Sequence, residues 1–180
     1  VSTYLKAEKM CKDEYDLVYP FGFGTQENQV KWQKKVFASD ELVSDFLNQN
    51  FDFSIFENHS QKDRAQWGHA QFFKRTSYIE GGMENENFKA WGPEDEEKHY
   101  RFPKLGYNLG RVIDWVYHLE HSRGDDSERT NIYFHDNLKL MEDIRSLSEE
   151  ELKNYYNTQE YLKKYNCLLY TSDAADDLIG

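Results

Sequence analysis

Apolar positions Tyr4, Leu5, Ala7, Cys11 and Tyr15 recur at helical spacing and predict a helix over 2–15. The pattern then changes. Asp16 to Pro20 (DLVYP) is a short continuous apolar run that predicts a buried strand ended by Pro20, with Gly22 and Gly24 beyond it. Residues 28–49 predict two short helices, the second starting near Ser39-Asp40 and carrying Leu42, Val43, Phe46 and Leu47. FDFSIF at 51–56 alternates weakly, and HAQFFKR at 69–75 is the better strand pattern. TSYIEGG predicts a turn or short helix that ends at Gly81-Gly82. Pro93 suits the first position of a helix whose first turn holds Glu94, Asp95, Glu96 and Glu97. That helix is expected to stop near Phe102, because Pro103 disfavours helical geometry in the residue before it. Two β segments follow in YNLGRVI and WVYHLEH, between 107 and 121. The remainder is predicted helical, with Ser148 and Glu151 forming a capping box. The fold class expected is α/β.

Composition narrows the function classes. Of 180 residues, 16% are aromatic, too many for a disordered chain, although mean hydropathy is −0.93. A formal charge of −11 argues against a nucleic-acid partner and against docking on an anionic membrane surface. An acidic protein still binds an anionic substrate when a metal ion sits between them. Cys11 and Cys167 have no metal or disulfide spacing, and no apolar run approaches the ~18 residues of a transmembrane segment. A cytoplasmic location is the expectation.

Candidate chemistry gathers in two places. The acids at 94–97 follow Trp91, Gly92 and Pro93, so carboxylates that can bind hydroxyls stand beside an aromatic face that can stack on a sugar. As a structural alternative, the same acids simply complement the helix dipole. His118 and His121 are the second place. They converge on one metal only where the backbone bends, since a regular strand would turn them to opposite faces. His59, His69, His99 and His135 are expected to be surface or satisfied core histidines.

Taken together, EGGMENENFKAWGPEDEEKHYRFPKLGYNLGRVIDWVYHLEH resembles the C-terminal catalytic half of a GT-A glycosyltransferase. The nearest groups are the capsule-type family 2 enzymes and the galactosyltransferase C-terminal domain. The likeness covers roughly residues 5–125, and residues 126–166 then form a helical extension. It implies an incomplete Rossmann-like sheet with helices, in which Gly81, Gly82 and Arg101 lie near the donor sugar. Glu94, Trp91 and Gly92 would bind the acceptor, and Asp95 would act as the catalytic base of an inverting transfer. Glu96 and Glu97 would be solvated helix acids. His121, with His118 three residues earlier, would ligate a divalent Mn or Mg ion. The partners implied are a nucleotide-sugar donor and a saccharide acceptor in surface or capsular polysaccharide synthesis, with peripheral membrane association open to the full-length enzyme.

No Asp-x-Asp ends a strand ahead of residue 2, so the chain is expected to be an acceptor half whose donor half lies upstream. CLLYTSDAADD at 167–177 resembles translated sequencing-adapter read-through, and 167–180 is therefore expected to be a non-native tail. A non-catalytic carbohydrate-binding or structural fragment is the alternative reading. A glycoside hydrolase fits less well, since adjacent Glu94 and Asp95 do not easily flank one bond.

Overall fold

The structure is a computed structural model and describes residues 2–22, 33–63 and 66–163. It is a mixed α/β protein built as two compact units. The first combines the described residues from Val1 to Lys74 with Asn108–Gly124; the second combines Arg75–Tyr107 with the described residues from Asp125 onward. Residues 23–32 and 164–180 lie outside the described residues, and with them Gly24, Cys167, the start of the helical pair expected over 28–49, and the tail.

In the first unit, helix α1 (Ser2–Asp13) packs Ala7 and Cys11 against strand β1 (Leu17–Tyr19), all three residues of which are buried. The other strands are β2 (Gln33–Val36), β3 (Ser60–Asp63), β4 (Phe72–Phe73), β5 (Leu109–Arg111) and β6 (Val116–Leu119). β1 is central in one sheet, antiparallel to β4 and parallel to β5. β2 is central in the other, antiparallel to β3 and parallel to β6. The two predicted β segments between 107 and 121 therefore belong to different sheets.

Three local expectations are corrected. Helix was expected where β2 lies. Its Lys-rich sequence favours helix, but pairing on both edges satisfies its backbone and buries Gln33 and Val36 completely, so tertiary pairing overrides propensity. The predicted helix α2 (Asp40–Asn48) does follow, with Ser39 accepting from the Leu42 amide as its N-cap. FDFSIF becomes part of a 3₁₀ helix (Phe53–His59), started by the Asp52 carboxylate accepting from the Ser54 amide at 2.9 Å.

The third correction is in the second unit, which contains α3 (Arg75–Glu80), α4 (Glu94–Lys104), α5 (Phe134–Ser146) and α6 (Glu149–Asn157). α4 continues through Pro103 instead of ending at Phe102. Pro103 sits in the last turn, where only one internal bond is lost, and the Leu105 amide closes the helix onto Arg101 O. Ser148 and Glu151 form the predicted capping box on α6. Ile144, Leu152 and Tyr156 form the core between α5 and α6. No helix among the described residues is long and apolar enough to cross a membrane.

Candidate functional site

The Trp91-Gly92 turn that launches α4 is tied down by two asparagines. Asn137 is buried, donates to Lys89 O at 2.7 Å and accepts from the Lys89 amide at 3.1 Å. Asn131 donates to Trp91 O at 2.9 Å. A Cβ on Gly92 would lie 2.7 Å from Asn137 Nδ2, so this position needs glycine for close approach. Trp91 stacks on Phe134 with centroids 5.6 Å apart and planes 14° from parallel.

Helix periodicity then sorts the four acids by environment. Glu94 is half-buried, and its Oε2 has no protein hydrogen-bond partner. Burial pushes its carboxyl above the ordinary 4.5, against the pull of the Glu94 and Gly92 amides and of Lys98. Asp95 is partly exposed, with Lys98 Nζ 3.2 Å from its Oδ1; the same almost fully buried ammonium is 2.6 Å from Glu84 Oε2. Glu96 stands 3.8 Å from Arg145 Nη1. Glu97, expected to be a solvated acid, is only 1% exposed. It lies 3.0 Å from Arg101 Nε and accepts from the Tyr156 hydroxyl at 2.6 Å, because i+3 from Glu94 is the face α4 turns inward.

Glu94 gives a pH-dependent prediction. Its folded pKa is raised, so its contribution favours folding below the ordinary carboxylate range and is lost as pH rises through the folded value. Glu94→Gln should therefore be more stable than the parent at pH 7 and no different at pH 3. Denaturant melts of both proteins at the two pH values check this, and an equal gap at both would refute it.

Gly81, Gly82 and Arg101 do come together. The Arg101 guanidinium donates to Gly81 O and, at 2.7 Å, to Met83 O, and lies 4.2 Å from the Tyr156 ring centroid. Gly82 has φ +95°, and a Cβ there would meet Tyr156 at 2.4 Å. Arg101 is as buried as Glu97, so its charge is committed to the turn and to its carboxylate. This structural use of Arg101 was not legible from the motif.

His118 and His121 belong to the first unit, whereas residues 81–101 belong to the second. β6 ends at Leu119, so strand alternation no longer governs His121, and the two rings approach to 5.7 Å. His118 Nε2 is buried without a hydrogen-bond partner, and burial pushes its pKa down, which favours the neutral imidazole that a metal needs. His121 Nδ1 lies 3.0 Å from Ser122 O, a contact that leaves Nε2 for other partners. His69, expected to be unremarkable, lies 4.1 Å from the His118 ring; its sequence neighbourhood carries no sign of this. Among the described residues, no group of three or more His, Cys, Asp or Glu is arranged to hold a metal ion. The pair fits an imidazole-accepting ion and supplies at most two ligands.

No family model matches the chain, and neither a curated protein nor a solved structure matches it significantly.

Proposed function

We propose that the chain contributes the acceptor side of a metal-dependent, inverting glycosyltransferase of the GT-A kind. The observation that carries this reading is the sorting of the four acids. Glu97 and Glu96 pair with Arg101 and Arg145, Asp95 pairs with Lys98 at 3.2 Å, and Glu94 keeps a partnerless Oε2. Glu94 and Asp95 are both half-exposed beside Trp91 at a helix start. That leaves two carboxylates with different chemistry next to one aromatic residue. Asp95 accepts the proton of the attacking acceptor hydroxyl, and Lys98 fixes the orientation of its carboxylate. Glu94 accepts hydrogen bonds from other acceptor hydroxyls, which would satisfy its partnerless Oε2. Trp91 offers the sugar whatever ring surface Phe134 leaves uncovered. Gly81, Gly82 and Arg101 set the floor near the donor sugar.

His121 and His118 would hold the divalent ion, and imidazole donors suit Mn²⁺ better than Mg²⁺. When bound, the ion would neutralise the leaving diphosphate. Nucleotide-sugar donor and saccharide acceptor are thus the proposed partners, with cytoplasmic synthesis of a surface polysaccharide as the setting.

The test is nucleoside-diphosphate release from a panel of nucleotide sugars, with Mn²⁺ and oligosaccharide acceptors present. The longest natural polypeptide containing this chain should release product only when an acceptor is present. Residues 1–166 alone should give little turnover, since His118 and His121 supply at most two ligands and no third His, Cys, Asp or Glu joins them among the described residues. Robust turnover by 1–166, or release indifferent to acceptor, would contradict this reading.

A further inference from the structure

The inward face of α4 borders a cavity that shares only Arg101 with the glycosyl-transfer reading. Tyr100, Lys104 and the buried Glu97 and Arg101 line it from α4, at helical spacings that share one side. Met141, Ile144 and Leu152 give it apolar walls from α5 and α6, and its volume is about 270 Å³. None of Trp91, Gly92, Glu94 or Asp95 lines it.

Two features select an occupant. Deep in the unit, Glu97 uses Oε1 for Tyr156 and Arg101, while Oε2 has no hydrogen-bond partner. A buried carboxylate oxygen left so is costly, and a donor from a bound molecule would relieve it. Waters at about 30 Å³ each could fill the space, but three apolar side chains leave them few partners. At the other end stand two cations, in a chain of formal charge −11. Arg145 lies 4.1 Å from the Tyr100 ring centroid and 3.8 Å from Glu96, and the Lys104 ammonium donates to Arg145 O at 2.9 Å. The nearby Glu151 carboxylate is engaged by the Ser148 amide. Glu97 and Lys104 are two turns apart on α4, roughly 10.5 Å along the axis, a span that suits a substituted aromatic ring.

We propose that this cavity binds a small amphiphilic anion, an aryl carboxylate with a hydroxyl at its buried end. The carboxylate pairs with Lys104 and Arg145. The ring packs on Met141, Ile144 and Leu152, and the hydroxyl donates to Glu97 Oε2.

The experiment titrates the full chain with 4-hydroxyphenylacetate and follows the Met141 and Ile144 methyl signals by NMR. Saturable shifts of both are expected. Phenylacetate, without the hydroxyl, should bind about tenfold more weakly, the loss expected for one hydrogen bond to a charged group. Tyramine, which carries an ammonium in place of the carboxylate, should not bind. Lys104→Glu, at the mouth, should keep the parent melting profile and lose the shifts; Met141→Trp should block the cavity. Absence of shifts at millimolar probe, equal binding of tyramine, or undiminished binding by Lys104→Glu would each overturn the proposal. Because none of these readouts involves sugar transfer, their failure leaves the glycosyltransferase reading standing.

Discussion

Arg101→Ala should destabilise the second unit by about 3–5 kcal/mol, the usual cost of removing one member of a buried ion pair. The substitution would leave the Glu97 carboxylate buried without its cation, and would strip Gly81 O and Met83 O of their donors. Arg101→Lys should recover little, because one ammonium cannot bridge two carbonyls and a carboxylate as the planar guanidinium does. Glu97→Gln should be damaging too: it keeps an acceptor for Tyr156 but leaves the Arg101 charge uncompensated. Glu96→Gln, at a partly exposed pair 3.8 Å from Arg145 Nη1, should fall within about 0.5 kcal/mol of the parent. Urea unfolding combined with amide exchange along α4 and α6 reads all four. Losses below 1 kcal/mol for both Arg101→Ala and Glu97→Gln would show that the pair does not hold the Gly81-Gly82 turn.

Under the proposed glycosyl transfer, Asp95→Asn should lower kcat by roughly 10²–10⁴-fold in the longest natural polypeptide containing this chain, the range for loss of a general base. Asparagine keeps the size and can hydrogen-bond, but it cannot take the proton from the acceptor hydroxyl. Donor affinity should barely change, since the proposed contacts of Asp95 are to the acceptor hydroxyl and not to the nucleotide. The matched control is Glu96→Gln; Glu97 is unsuitable because its replacement disturbs folding. Equal, small effects on kcat at positions 95 and 96 would return the acids to a dipole-complementing role.

Local signals were enough for several elements. The helical spacing of α1, the Ser39 and Ser148 caps, the apolar run of β1 and the Gly81-Gly82 stop are short-range features, and each appears in the structure where the pattern put it. The α/β class follows from them. The better strand pattern, at 69–75, shrank to Phe72–Phe73, since only those two residues pair with β1. The candidate acids could be located from the sequence as well, because Pro93 and the run behind it mark a helix start.

What the sequence could not do was rank those acids. Glu94, Asp95, Glu96 and Glu97 are nearly equivalent as letters, and the choice of the buried one depends on which face of α4 meets α5 and α6. Tyr156 and Arg101 make Glu97 the structural carboxylate, and that partnership spans 59 residues of chain. Similarly, QKKV becomes a central strand because β3 and β6 arrive on its edges, and His118 meets His69 from a distant segment of the chain. Short-range hydrogen bonding and hydrophobic spacing fixed the elements. Burial and long-range pairing, which set the cost of each charge, decided what the residues on them do.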